Sequence, residues 1–135
     1  MLHKLARLVM KDGKLQRAHS HLTTLLSQLA LSTSSPPLPV LTAALALASP
    51  TIRIVGRRKG TKVLPTPQPL TEAQRTRQAW LWIVEASEKR AGTEKVFGNR
   101  LALEVLAVLG GQSEALKKRD ARHQQGVVGR ANVGR

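Results

Sequence analysis

Thr51-Ile-Arg-Ile-Val-Gly56-Arg-Arg-Lys-Gly60-Thr-Lys-Val-Leu-Pro65-Thr-Pro-Gln-Pro-Leu70 is the stretch whose pattern breaks from the helical spacing around it. Its first five residues alternate and are β-branched at four positions, which predicts a strand over Thr51–Val55. Gly56 and Gly60 enclose Arg57, Arg58 and Lys59, and the segment reads as a turn. Thr61 to Leu70 is extended but carries Pro65, Pro67 and Pro69. Prolines at every second position cannot donate to a ladder on that side, so this strand is an edge strand at best. Together the two halves predict a two-stranded arm at about 51–67 with a cationic tip.

Working outward, the apolar spacing becomes that of helices. His3 to Lys11 reads as a short helix stopped by Asp12-Gly13, and Lys14 to Ala30 as a second with a stripe of Leu15, Ala18, Leu22, Leu25, Leu26 and Leu29. Ser32 to Pro39 reads as a loop. A third helix from Pro39 or Val40 to Ala48, almost all Ala and Leu, is expected to be buried all round. Beyond the arm, Thr71-Glu-Ala-Gln74 has the form of a capping box and opens a helix to about Arg90. A fifth helix runs from Thr93 or Glu94 to Leu109, and Ser113 caps a sixth to about Gln125. Residues 126–135 read as an irregular tail, because Gly and Val lower helical tendency. The expected fold is mainly α: about six helices with a protruding two-stranded β-ribbon arm, in one domain spanning 1–135.

Charge sets the class of partner. The chain has 22 Lys and Arg against 8 Asp and Glu, a net charge of +14. Self-repulsion of that size opposes compaction, and a polyanion relieves it. Asp12 is the one acid before Glu72, so the excess lies in the first half. There is no cysteine, which excludes disulfides and thiolate metal sites. The longest apolar run, Leu41 to Ala48, is far below the roughly 20 residues of a membrane span. Residues 1–35 share the basic, acid-poor character of a transit peptide; the alternative is an amphipathic helix pair kept in the mature protein, and it is the family resemblance given below that favours it.

Constellations for catalysis are missing. His19 and His21 are two apart and so face roughly 160° away from each other on a helix. Neither they nor His3 and His123 have ligand-forming neighbours, so no metal or cofactor is expected. Gly56 to Lys62 lacks the spacing of a phosphate-cradling nucleotide loop. Glu85 and Glu88 lie beside Lys89 and Arg90 and read as surface pairs. No nucleophile has an adjacent base, and the chain is read as a binding protein rather than an enzyme. Trp80 and Trp82 are two apart and are not expected to face the same core; one is read as buried, the other as packed at an edge rather than stacked on a base.

Basic clusters carry the positive signal. Lys4, Arg7, Lys11 and Lys14 recur every three or four residues along the first helix and its exit. Arg53, Arg57, Arg58, Lys59 and Lys62 lie on the arm. Arg75 and Arg77 open the long helix, and Lys117, Lys118, Arg119 and Arg122 open the last one, followed by His123 and Arg130. Cations at helix starts oppose the helix dipole, at a cost of a few tenths of a kcal/mol that a bound phosphate would offset. With so few aromatics, recognition of folded RNA by backbone and shape fits better than base stacking. The alternative at this level is an architectural DNA-binding protein using the arm in a groove.

Short motifs in this order resemble the small-subunit ribosomal protein seven family, the universal protein of the subunit head. They are Val9-Met10-Lys11-Asp12-Gly13-Lys14, Ser49-Pro50-Thr51 leading to Arg57-Arg58 and Gly60, Trp82-Ile83-Val84-Glu85-Ala86 with Lys89-Arg90, and Leu116-Lys117-Lys118-Arg119-Asp120 with His123 and Ala131-Asn132. The resemblance covers most of residues 5–132. It implies six helices with a protruding ribbon, a role in assembly, and binding to the 3′ major domain of small-subunit rRNA beside head and platform proteins. On this resemblance the first-helix, long-helix and last-helix cations, with His123 and Arg130, contact rRNA. The arm cations lie near exit-site tRNA and mRNA. The chain departs from the family in lacking its basic N-terminal extension and aromatic ending, and in its prolines and the Gly126–Gly129 stretch. These departures resemble a mitochondrial member more than a bacterial or plastid one, and no membrane partner is implied.

Overall fold

The computed structural model describes residues 2–133. The element order is α1 (Leu2–Val9), α2 (Leu15–Thr33), α3 (Pro37–Ala48), β1 (Ile52–Lys59), β2 (Lys62–Pro69), α4 (Glu72–Glu88), α5 (Phe97–Leu109) and α6 (Glu114–Gly129), with a closing 3-10 turn at Arg130–Asn132. The protein is therefore mainly α, with six helices and a two-stranded antiparallel ribbon, as the sequence predicts.

The helix boundaries have local causes. Asp12 and Gly13 both take positive φ (55° and 71°), which ends α1 and turns the chain into α2. Helix α2 runs to Thr33, past the expected Ala30, and stops where Ser34 takes the left-handed conformation and its N–H bonds to Ala30 O. Pro37 begins α3 two residues earlier than expected, since proline's fixed φ suits the first turn. The capping box of α4 is formed: Thr71 Oγ1 accepts from Gln74 N–H, and Gln74 Oε1 accepts from Thr71 N–H. Helix α5 starts at Phe97 rather than at 93 or 94, after a series of turns. Ser113 caps α6 by accepting from Ala115 N–H.

The core is one cluster built from the apolar stripes of α1 to α5, with Leu25, Leu29, Leu41, Trp80, Ile83, Leu101 and Val105 excluded from solvent. Two readings are corrected here. Helix α3 is not buried all round: Leu41, Ala44, Leu45 and Ala48 face the core, while Leu38 and Leu47 remain over 40% exposed. Trp80 and Trp82 are both buried, because α4 is packed by α3, α5 and α1 and on a further side by α6. A helix covered on two sides has inward positions 200° apart.

In the ribbon, β1 and β2 pair along their whole length, from Ile52↔Pro69 to Lys59↔Lys62. Arg57, Arg58 and Lys59 are strand residues, and the turn contracts to Gly60-Thr61. Gly60 has φ 63° and Thr61 does not have positive φ, the φ signs of the type II′ turn whose twist matches a hairpin. The prolines do not interrupt the ladder. Leu70 N–H donates to Thr51 O, so hydrogen-bonded pairs fall at Arg53/Gln68, Val55/Thr66 and Arg57/Leu64. Pro65, Pro67 and Pro69 occupy the alternate positions, where a backbone N–H would point away from β1. They blunt the outer edge of β2 against further pairing.

The tail reading is also corrected. Residues 126–129 continue α6, and 130–132 form a helical turn packed on β2. Gly134 and Arg135, the end of that tail, lie outside the described residues. Gly126 and Gly129 are buried because the ribbon comes close: a Cβ on Gly129 would sit 2.7 Å from Pro65 O, and one on Gly126 would run into Ile52 Cδ1. Asn132 Nδ2 donates to that same Pro65 O at 2.9 Å. Packing on the ribbon outweighs the weak intrinsic helicity of these residues.

Candidate nucleic-acid interface

The ribbon tip is the plainest cationic surface. Arg57, Arg58, Lys59 and Lys62 are all exposed. Alternation places Arg53, Arg57 and Lys59 on one face with Lys62, while Arg58 points to the other. Lys59 and Lys62 are direct cross-strand partners. Like charges in that position are destabilising, and a bound anion removes the penalty.

A second group forms at the base of the ribbon. Arg53 from β1, Arg77 from α4 and Arg122 from α6 line one concavity with Gln74 and Gln78. Arg53 Nη2 donates to Gln68 Oε1 at 3.2 Å, which fixes its direction. The Arg122 guanidinium lies 4.7 Å from the Trp82 ring centroid, a cation–π contact, and burial lowers its pKa from the ordinary arginine value. Arg53, read as part of the arm, thus belongs spatially with Arg77 and Arg122.

A third group surrounds the α1–α2 turn. Lys11 and Lys14 line a concavity with Arg17, His21, Phe97 and Arg100. Lys4 and Arg7 are exposed on α1 itself, so the expected ridge continues past the helix end into this hollow. Burial, and then Arg17 and Arg100, hold the His21 pKa below its usual value.

Other cations in the expected set are engaged within the protein. Arg75 Nε donates to Pro50 O and its Nη2 to Ser49 Oγ, both at 3.1 Å. Arg119 donates to Leu47 O and pairs with Asp120. His123 Nε2 accepts from Thr51 N–H at 3.1 Å. These three side chains clamp residues 47–51, where α3 passes into β1, and so fix the root of the ribbon. Lys118 pairs with Glu85 at 2.8 Å. Lys117 and Arg130 remain exposed. Among the described residues no group of three His, Asp or Glu side chains is placed to hold a metal ion.

A ribbon carrying cations, rooted among helices that carry more, is thus the main geometric result. The model of ribosomal protein S7p/S5e matches residues 1–130. The chain belongs to this family. Small ribosomal subunit protein uS7m of Schizosaccharomyces pombe is 34% identical over 129 residues, covering 96% of this chain and 49% of that protein. The uS7 of the bacterium Laribacter hongkongensis is 34% identical over 130 residues, covering 96% of this chain and 82% of its own. The uS7m of Neurospora crassa is 30% identical over 153 residues, covering 94% and 50%. The chain spans about half the length of these two fungal relatives.

For this S7p/S5e chain, sequence reading missed Arg17, His21 and Arg100 as members of the third group. Arg17 and His21 did carry a signal, since they follow Lys14 at three and seven residues and share its helix face. Arg100 carried none: it reaches the hollow because α5 crosses α2 at Gly98, where a Cβ would lie 2.6 Å from Thr24 Cβ.

Proposed function

We propose that this chain is a structural, RNA-binding constituent of the small ribosomal subunit head, acting in mitochondria. It neutralises phosphates of the 3′ major domain of the rRNA and braces that domain during assembly. Its ribbon reaches toward exit-site tRNA and mRNA, and its helices meet neighbouring head and platform proteins. The observation that carries this reading is the coincidence of family membership with three cationic groups, the two concavities among them having Asp12 as the one carboxylate in their lining. Lys4, Arg7, Lys11, Lys14, Arg53, Arg77, Arg122, Lys117 and Arg130 are the rRNA contacts this reading favours. Arg75, Lys118, Arg119 and His123 act mainly by holding the ribbon root and α6. Similarity to fungal mitochondrial relatives supports the compartment, and the bacterial relatives make a bacterial-type ribosome the competing location.

The test is sedimentation of tagged protein from mitochondria, together with binding to an rRNA head-domain fragment across salt concentrations. Co-migration with small subunits is expected. Neutralising about ten phosphates gives a log–log salt slope of roughly −7 to −9. A slope near about −2, or duplex DNA outcompeting the rRNA fragment, overturns the reading.

A further inference from the structure

The hollow between the α1–α2 turn and the start of α5 has features a solvated basic face does not need. It encloses about 300 Å³. Its apolar lining is Val9, Met10, Ala18 and Phe97, and its polar lining is Lys11, Lys14, Arg17, His21 and Arg100 with Asp12 as the one carboxylate. Two of these polar groups are held in place by contacts with α5 and the turn before it. Arg100 Nη1 donates to Glu94 O and Lys95 O, its guanidinium carbon sits 5.3 Å from the Phe97 ring centroid, and its Nε is buried with no partner among the described residues. His21 meets the same Phe97 ring edge-on at 5.0 Å. The absence of a side chain at Gly98 lets α5 come this close to α2, since a Cβ there would lie 2.9 Å from His21 O.

We propose that this hollow is a cradle for one backbone phosphate of the bound RNA, and that His21 takes up a proton when the phosphate enters. The RNA as source of the phosphate rests on the function proposed above; the oxyanion cradle does not. The groups facing His21 are Arg17 on its own helix, Lys11, Asp12 and Lys14 from the turn, and Phe97 and Arg100 from α5. Burial disfavours its imidazolium first, and Arg17 and Arg100 add to it. An oxyanion among them reverses that balance, because an opposite charge within about 4–6 Å favours the charged form. By linkage, an anion that raises the His21 pKa must itself bind more tightly as pH falls through the raised value. A rise of one unit corresponds to about tenfold in affinity.

The test uses the full chain with labelled histidine rings. Sodium sulfate, a non-titrating oxyanion, is compared with sodium chloride at equal ionic strength. Sulfate should move the His21 titration midpoint upward by about one unit, while His3, His19 and His123 serve as internal references. Arg100→Gln should raise the His21 midpoint without anion, because a cation is lost, and remove the response to sulfate. For an rRNA head-domain fragment, affinity should rise about tenfold between pH 8 and pH 5.5, and His21→Gln should flatten that rise beyond what the other histidines contribute. Indifference of His21 to both sulfate and RNA overturns the cradle, even if RNA binds well. A response to sulfate without RNA binding upholds the cradle and overturns the ribosomal reading. The ring titration in the native protein decides the matter even if a variant fails to fold.

Discussion

Gly129→Ala sets two local expectations against each other. Residue 129 has φ −84° and ψ −5°, a conformation open to alanine, and it ends α6. By propensity alone the substitution should stabilise, by up to about 1 kcal/mol. The structure predicts the opposite. The new Cβ would lie 2.7 Å from Pro65 O, a backbone atom that cannot rotate away and that also accepts from Asn132 Nδ2. Overpacking of this kind costs about 1–3 kcal/mol, so the net loss is about 1–2 kcal/mol. For a chain of 135 residues the unfolding entropy is roughly 0.28 kcal/mol/K. The melting midpoint should therefore fall by about 4–7 °C. Gly92→Ala is the control: nothing lies within 4 Å of its Cβ position and its φ is not positive, so it should be neutral or stabilising. Thermal melts of the two variants decide between the expectations. If Gly129→Ala melts at or above the parent, α6 does not dock on the ribbon through Gly129.

Other perturbations test other parts of the fold. Glu104 is 3% exposed and joins Arg90 to Ser113; Glu104→Ala should cost about 2 kcal/mol, below the usual range for a buried pair because Arg90 is partly solvated. Glu104→Gln keeps an acceptor for Ser113 and should lose less when both variants are titrated with urea. Combined Arg57, Arg58 and Lys59→Ala should spare stability and subunit incorporation while impairing tRNA or mRNA handling, measured by incorporation in cells and by translation in extracts. Loss of incorporation instead would mean the tip contacts rRNA. Raising ionic strength from about 0.05 to 0.5 M shortens the screening length to below about 5 Å; amide exchange should slow in the α1–α2 turn and ribbon, and equal slowing in α4 and α6 would refute that localisation.

The helices and the ribbon were legible because their signals are local. The capping box at Thr71, the stop at Asp12-Gly13 and the stripe of α2 each act within a few residues. The errors share a cause, which is contact between segments far apart in sequence. The glycines and valines after Gln125 look like a tail until Pro65 and Ile52 are seen against them. Trp80 and Trp82 look incompatible until α6 is seen to cover the second. Prolines in β2 look disruptive until Leu70 fixes the register and turns their missing N–H groups outward. The cations were legible as a class, but their division into free and engaged groups was not. Nothing near Arg75 or His123 in sequence reveals that Ser49, Pro50 and Thr51 are their partners.

That division changes what the net charge means. The four ion pairs among the described residues all lie between Glu85 and Asp120, and three of them join α4, or the turn after it, to α5 or α6. The carboxylates are thus concentrated where helices must be held to one another. Before Glu72 there is only Asp12, and no cation there is ion-paired within the described residues. The isolated fold therefore stores its repulsion in α1, the α1–α2 turn and the ribbon, the elements that the proposed interface would place on RNA. Neutralisation by a polyanion and consolidation of these elements become one event, because the same charges oppose both order in the free chain and binding of anything but an anion. On the function proposed above, the fold would be most complete on its RNA, with the core shared by the helices as the part that changes least.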